Sequence, residues 1–122
     1  MRSALDGIRI LDFTWAGAGP YATLVMALYG AEVIKVENHA HPDTNRTRDP
    51  SSLEKSWRFN DLNINKMSVT MDLSNPEARE LVQGLAQACD VVIQNFRPGV
   101  MARLGADYPS LASRNPSIIM VS

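Results

Sequence analysis

The segment "DFTWAGAGPYATLVMALYGAEVIKVEN", residues 12–38, has the pattern of a strand end, a glycine-bearing turn, a helix and a second strand. Within it, residues 17–22 satisfy the pattern G-x-G-x-x-[GA], and Glu37 follows Gly17 by twenty residues. This is the spacing of a dinucleotide-binding fingerprint in a βαβ unit. The segment therefore predicts an α/β fold with a ligand at the turn.

Two residues favour a ligand other than a nicotinamide or flavin dinucleotide. Pro20 stands fourth in the pattern and has no backbone N–H for a pyrophosphate. Trp15 adds a bulky side chain to a turn that the fingerprint keeps tight. Glu37 could still accept a hydrogen bond from a ribose hydroxyl, so the dinucleotide-binding domain remains an alternative.

Hydrophobic periodicity extends the same alternation along the chain. Period-two and β-branched runs predict strands, and helical spacing with Pro and Gly signals predicts helices. The predicted strands are residues 8–13, 31–37, 67–73, 90–94 and 117–122, and the predicted helices include residues 20–29, 100–104 and 108–114. Residues 38 to about 58 are polar, contain two prolines and predict a long functional or mobile loop.

A further helix is predicted after the third strand. Ser74, Asn75, Pro76 and Glu77 form the pattern of a capping box with proline inside the first turn. An apolar stripe follows at helical spacing: Ala78, Leu81, Val82, Leu85 and Cys89. Cys89 is expected to be buried on this face, with a reactive thiol as the alternative.

Strands that alternate with helices predict a mostly parallel sheet with helices on both faces. The 122 residues fit one domain. Ser122 ends a predicted strand, where a ligand-binding loop of such a sheet would begin. We therefore expect the chain to be the first part of a longer protein.

Composition excludes several function classes. Twelve basic and thirteen acidic residues give a net charge of −1, which predicts neither a nucleic-acid nor a membrane-surface partner. One cysteine and an N-terminus without a signal-peptide pattern predict a cytoplasmic protein. His39 and His41 lie in the polar loop without a third ligand at suitable spacing, so no metal site is expected.

The turns that follow the strands carry the candidate binding groups. Residues 14–18 follow the first strand, Glu37 and Asn38 the second, and residues 95–98 the fourth. In a parallel sheet these turns share one edge and can converge on one ligand. Arg97 and Arg103 flank a Pro-Gly turn and could contact phosphate, although solvated arginines are the alternative.

The blocks "AGPYAT", "GAEVIKVE" and "NFRPGVMARLG", in this order, resemble the class III (CaiB/BaiF-type) coenzyme A transferases. The resemblance runs from about Leu5 to Ser122. It implies a Rossmann-like domain, of which residues 1–122 are the N-terminal part, and coenzyme A (CoA) or acyl-CoA as the ligand. Asp43 and Arg46 match a G-D-x-x-R-like loop of the family, and Trp15 replaces a histidine or arginine of some relatives.

The resemblance also implies CoA contacts. Asn38 stands where relatives often have arginine. The implied contacts are Gly17, Ala18, Asn38, Met71, Asp72, Leu73, Ser74, Asn95, Phe96, Arg97 and Arg103.

The family's reaction moves CoA between carboxylic acids through a covalent aspartyl-CoA. The matching aspartate is expected beyond Ser122, so no catalytic residue is predicted within this chain. The family also contains α-methylacyl-CoA racemases, and a non-catalytic CoA-binding module is a third possibility. Members form intertwined homodimers, which we expect of the full-length protein.

Overall fold

The computed structural model describes residues 2–46 and 55–122. Within these ranges the chain forms five strands and five helices that alternate for most of its length. The strands are β1 (Arg9–Asp12), β2 (Glu32–Glu37), β3 (Lys66–Thr70), β4 (Val91–Ile93) and β5 (Ile119–Val121). The helices are α1 (Ala18–Leu28), α2 (Trp57–Leu62), α3 (Pro76–Gln87), α4 (Val100–Arg103) and α5 (Tyr108–Ala112).

The strands form a single parallel sheet in the order β3-β2-β1-β4-β5. Asp12, the last residue of β1, pairs in register with Lys35 of β2 and Ile93 of β4. The carboxyl ends of these three neighbouring strands therefore lie at one edge of the sheet. Strand order reverses at β1, which is where open α/β sheets bind their ligands.

Each face of the sheet carries its own apolar core. Ile10 belongs to a cluster with Ala27 of α1 and Val33, whereas Leu11 belongs to a cluster with Val82 of α3. Successive side chains of a strand point to opposite faces. The sequence prediction of a Rossmann-like α/β fold with helices on both faces is confirmed.

The segment that follows β2 differs from its prediction. Residues 57 and 58 belong to α2 and not to a loop, and their helix packs Phe59 into the interior. The sequence "WRFNDL" offers one buried side chain and thus no apolar period that would have indicated a helix. Residues 38–46 are irregular, and residues 47–54 of the predicted loop lie outside the described residues.

The start of α3 corrects the predicted capping box. Asn75 is the N-cap, and its Oδ1 accepts a hydrogen bond from the Glu77 N–H at 2.9 Å. Ser74 donates its N–H to Asp72 Oδ1 at 3.0 Å and so belongs to the preceding turn. Asparagine caps as well as serine does, and Pro76 at the first helical position fixes the start one residue later.

The predicted apolar stripe of α3 is only partly buried. Val82 and Cys89 lie in the core, but Leu81 is 65% exposed. Leu81 borders an open apolar groove together with Ile34 and the half-exposed Met67. Leu81 belongs to the predicted stripe and is nevertheless exposed, because the described part of the chain leaves this side of α3 uncovered.

Cys89 is buried, as its helical spacing predicts. Its Sγ donates to the Leu85 carbonyl oxygen at 3.3 Å. Burial raises the pKa of the Cys89 thiol to about 11, which disfavours the thiolate that a reactive cysteine needs.

Neither a membrane helix nor a metal-ligand cluster is found in residues 2–46 and 55–122. No helix there has the length and apolar character needed to cross a membrane. No three His, Cys, Asp or Glu side chains there are grouped closely enough to hold a metal ion.

Candidate functional site

A cavity of about 670 Å³ opens at the carboxyl edge of the sheet, between the segments that follow β1, β2 and β4. Its lining also includes the segment after β3, the single turn of α4 and the C-cap of that helix. The lining residues are Phe13, Trp15, Val36, Glu37, Asn38, His41, Met71, Leu73, Phe96, Arg97, Val100, Arg103 and Leu104. The loops that the sequence predicted to converge therefore border one cavity.

Six of the predicted binding residues line this cavity, and five lie outside its lining. The six are Asn38, Met71, Leu73, Phe96, Arg97 and Arg103. The five are Gly17, Ala18, Asp72, Ser74 and Asn95, of which Ala18 is the first residue of α1 and the others occupy turns.

Sequence reasoning missed several apolar lining residues. Phe13 directly follows β1 and Val36 lies near the end of β2, whereas Val100 begins α4 and Leu104 is its C-cap, one helical turn later. The sequence could have indicated these residues, because apolar residues at strand ends and on the helix after the Pro-Gly turn lie at the edge of the sheet where a ligand binds. His41 also lines the cavity, although the sequence suggested only a solvated side chain.

The cavity combines an aromatic wall with two cations. The rings of Trp15 and Phe96 meet edge to face, with centroids 5.2 Å apart and planes at 85°. Arg97 and Arg103 are exposed at the cavity and flank Gly99, whose φ of +82° lets the turn lead into α4. Such walls suit a ligand with a planar aromatic group and anionic groups.

Side chains hold the turn between β1 and α1. All six backbone N–H and C=O groups of residues 14–16 hydrogen bond with side chains. Ala16 has a φ of +65°, a conformation that costs a non-glycine residue free energy. The partners come from β1, from β2 and from the segments that follow β2 and β4: Asp12, Lys35, Asp43, Asn45 and Asn95.

Asn95 hydrogen bonds with both the N–H and the C=O group of Trp15. Its Oδ1 accepts a hydrogen bond from the Trp15 N–H at 2.9 Å, and its Nδ2 donates to the Trp15 carbonyl oxygen at 2.8 Å. One amide side chain thus binds both backbone polar groups of one residue.

Buried charges lie beneath the turn. Lys35 pairs with Asp43, and Lys66 pairs with Asp12 at 3.2 Å, all four side chains being at most 1% exposed. Burial lowers the pKa of Lys66, although the charge of Asp12 partly opposes this. Thr23 Oγ1 donates to Asp12 Oδ2 at 2.6 Å and thereby ties α1 to β1.

Two other side chains donate hydrogen bonds to the carboxylate of Glu37. Arg46 binds it through two nitrogens, at 2.9 Å to Oε1 and 2.8 Å to Oε2, and Ser68 Oγ donates to Oε2 at 3.0 Å. Burial raises the pKa of Glu37, but the hydrogen bonds and charge of Arg46 outweigh it and hold the pKa below its ordinary value. A carboxylate used in this way is a poor acceptor for a ribose hydroxyl, which argues against the dinucleotide alternative.

Asn38 and Asp72 connect the segments after β2 and β3. Asn38 Nδ2 donates to Asp72 Oδ1 at 3.3 Å, and Asn38 Oδ1 accepts from the Ala40 N–H at 2.7 Å. Hydrogen bonds from Ser74 lower the pKa of the exposed Asp72. Asn38 therefore shapes its own loop as well as lining the cavity.

The N-terminus of α1 lies directly after the held turn. Tyr21 donates the first helical hydrogen bond to the Gly17 carbonyl oxygen at 3.0 Å. The N–H groups of Ala18 and Gly19 precede that bond and have no carbonyl partner within the helix, and Pro20 has no N–H. Gly19 is required for packing, because a Cβ there would lie 2.5 Å from Thr14 Cβ.

A family model matches residues 5–122, nearly the whole chain, and its description is CoA-transferase family III. The chain belongs to CoA-transferase family III. The resemblance stated from its sequence blocks is thus confirmed.

The chain spans about a third of the length of the similar proteins that follow. It is 42% identical over its whole length to a formyl-CoA:oxalate CoA-transferase of Rhodopseudomonas palustris (strain BisA53), of which it spans 29%. A CaiB/BaiF family protein from Brucella suis is 36% identical, with a TM-score of 0.87 over 98% of this chain and 33% of its own. The protein Rv3272 of Mycobacterium tuberculosis is 42% identical, with a TM-score of 0.85 over 97% of this chain and 32% of its own.

Proposed function

We propose that this chain forms the CoA-binding part of an enzyme that transfers CoA from an acyl-CoA donor to a carboxylic acid. The observation that carries the proposal is the cavity to which the segments after β1, β2 and β4 contribute Trp15, Asn38 and Arg97. Membership in family III supplies the ligand class.

The chemistry of CoA matches the walls of this cavity. CoA carries an adenine ring, phosphate groups and a flexible pantetheine arm. Aromatic rings and apolar side chains can cover the adenine and the arm, as Phe96 and Leu73 would do here. Guanidinium groups bind phosphate in a bidentate way, which is the role proposed for Arg97 and Arg103.

The proposed reaction is covalent and needs an aspartate that the resemblance places beyond Ser122. That carboxylate would attack the donor thioester, giving a mixed anhydride and free CoA thiolate. The thiolate would then displace the acyl carboxylate and form aspartyl-CoA, from which the acceptor acid takes CoA. Dividing one acyl transfer into such steps lowers the individual barriers. This chain would hold and orient CoA.

The names of the relatives suggest the first substrates to test. Formyl-CoA as donor and oxalate as acceptor follow from the formyl-CoA:oxalate CoA-transferases that match this chain. We also propose the family's homodimer for the full-length protein and the cytoplasm as its location.

Two measurements test the proposal. Calorimetric titration should give saturable binding of CoA and none of NADH, because Glu37 is already bound by Arg46. The protein that contains this chain should transfer CoA from formyl-CoA, or from another acyl-CoA, to a carboxylic acid. Binding of NADH in preference to CoA would refute the proposal. Exchange of an α-hydrogen without CoA transfer would place the protein with the racemases.

A further inference from the structure

We propose that His41, in its protonated form, binds a phosphate group of the ligand and makes the affinity for CoA depend on pH. The proposal rests on the proposed function for the identity of the ligand. It adds a binding residue for which the sequence suggested only a solvated side chain.

The two arginines of the cavity lining come from one part of the chain. Arg97 follows β4, and Arg103 ends α4. The segment after β2 contributes Asn38 and His41 to the same lining. Asn38 is neutral whatever it contacts, so a positive charge from this segment of the lining has to come from His41.

CoA carries its phosphates in two places, which are the diphosphate next to the pantetheine arm and the 3′-phosphate of the ribose. Two separate anionic groups can be bound by cations from different segments of the chain. Guanidinium and imidazolium N–H groups both donate charge-assisted hydrogen bonds to phosphate oxygens. A protonated His41 would therefore add a cation from the segment after β2 to the two arginines.

Hydrogen bonds hold the backbone of His41 at the cavity. Asn38 Oδ1 accepts from the Ala40 N–H at 2.7 Å and from the His41 N–H at 3.3 Å. Asn38 Nδ2 donates to Asp72 Oδ1 at 3.3 Å, which ties this loop to the turn after β3. His41 is an exposed residue, so its ring can exchange protons with solvent without unfolding of the loop.

The other charged groups around the cavity keep their charge in the range in which imidazole titrates, about pH 5 to 8. Arginine stays protonated throughout. Glu37 lines the cavity, but Arg46 binds it and holds its pKa below the ordinary value. Hydrogen bonds from Ser74 and, less strongly, the charge of His41 lower the pKa of the neighbouring Asp72. Of the described groups at the cavity, His41 is therefore the one whose charge changes in this range.

The test is calorimetric titration of CoA at about pH 6 and about pH 8, in the protein that contains this chain. His41→Gln keeps a polar side chain that cannot be protonated, and His41→Lys keeps a positive charge at both pH values. His39→Gln is the matched control. His39 is the other histidine of the chain and lies in the same loop, but it lines a neighbouring pocket.

We expect the parent to bind CoA about five- to tenfold more tightly than His41→Gln at about pH 6, and about equally at about pH 8. Variants are compared at one pH because a phosphate monoester such as the 3′-phosphate also titrates at about pH 6. His41→Lys should bind more tightly than the parent at about pH 8, and His39→Gln should match the parent. Both histidines are exposed, so melting temperatures should not change.

Proton uptake gives a second measurement. Because phosphate favours the charged imidazole, binding and protonation should strengthen each other. Calorimetry in buffers of different ionisation enthalpy should show that the parent takes up more protons than His41→Gln when it binds CoA at about pH 7.

Dephospho-CoA, which lacks the 3′-phosphate, identifies the phosphate that His41 binds. If the difference between the parent and His41→Gln at about pH 6 persists with this ligand, His41 binds the diphosphate. If the difference disappears, His41 binds the 3′-phosphate.

Four results would contradict the proposal. Equal CoA affinities of the parent and His41→Gln at about pH 6 would overturn it and leave the proposed function intact. An equal loss at both pH values would overturn it, because the side chain would then act without its charge. A loss in His39→Gln as large as in His41→Gln would assign the effect to the charge of the whole loop. A parent that binds no CoA at either pH would refute the proposed function and this inference together.

Discussion

Lys35 Nζ lies 3.0 Å from Asp43 Oδ2 in the interior of the protein, and both side chains are at most 1% exposed. The same two side chains reach the turn after β1. Lys35 donates to the Thr14 carbonyl oxygen at 2.6 Å, and Asp43 Oδ1 accepts from the Ala16 N–H at 3.1 Å. One buried ion pair therefore fixes two backbone positions of the turn beside the cavity.

Asp43→Ala should destabilise the fold by about 3–5 kcal/mol, because it leaves the Lys35 ammonium buried without its counter-ion. The free energy of unfolding from urea denaturation measures this. Asp61→Ala, at an exposed position, is the control and should change the free energy of unfolding by less than about 0.5 kcal/mol.

A double variant separates the charge from the hydrogen bonds. Lys35→Met with Asp43→Asn removes both charges and keeps an acceptor for the Ala16 N–H, so it should be more stable than Asp43→Ala. A double variant as unstable as Asp43→Ala would show that the buried charge is not the cause.

Gly19→Ala should destabilise the protein by about 1–3 kcal/mol, the usual effect of overpacking. The new Cβ would lie 2.5 Å from Thr14 Cβ and 2.6 Å from Thr14 Cγ2. Gly17→Ala is the matched control, because a Cβ there meets no described atom within 4 Å. Thermal denaturation of both variants checks this; equal melting temperatures would contradict it.

Gly17→Ala has a second use in the CoA titration. If CoA approaches the turn at Gly17, the added methyl group should weaken CoA binding while stability stays unchanged. Unaltered affinity would remove Gly17 from the proposed contacts.

Arg97→Ala should weaken CoA binding about 10- to 150-fold, corresponding to roughly 1.5–3 kcal/mol for a lost charged hydrogen bond. Arg97 lines the cavity and is exposed, so its removal should leave the fold intact. Arg114→Ala is the control, since Arg114 pairs with Glu80 on the surface and outside the cavity lining. Calorimetric titration with CoA tests this prediction. Equal affinities of the two variants would mean that Arg97 is a solvated surface residue and not a CoA contact.

Glu37 should make stability sensitive to acid. Its pKa is held below the ordinary value, so its contribution is present above the unfolded-state pKa of about 4.3 and is lost as pH falls through the folded-state pKa. Glu37→Gln should therefore be less stable than the parent near pH 7, and the difference should shrink as the pH falls below about 4.

Urea denaturation across this pH range tests the Glu37 prediction. Glu80→Gln, which removes an exposed pair with Arg114, should change stability by less than about 1 kcal/mol throughout. A parent–Glu37→Gln difference that stays constant as pH falls would contradict the assignment.

The fold was predictable because local patterns agree with it. The "GIRILDF" and "AEVIKVE" runs formed β1 and β2 with a helix between them, and Gly30 ends that helix with a φ of +98°. The placement of Asn38 and Arg97 at one edge of the sheet follows from parallel strands alone. Such information is local or topological, and the sequence contains it.

The contacts that shape the site were harder to predict from the sequence. Asp43 and Lys35 are charged residues in sequence, and nothing in their spacing indicates that they form a pair buried beneath a turn. Leu81 has the helical spacing of a core residue, yet its burial depends on whether anything covers that side of α3. Pairing and coverage are properties of the folded chain and not of a window of residues.

The turn after β1 also bears on how the protein folds. Its hydrogen-bond partners come from positions as far along the chain as Asn95, so the local sequence alone does not stabilise its strained shape. Long-range contacts of this kind form late, because closing large chain loops carries an entropic cost before any contact offsets it. Because β1 pairs with β4 over an equally long stretch of chain, the turn can take its shape only together with the closing of the sheet.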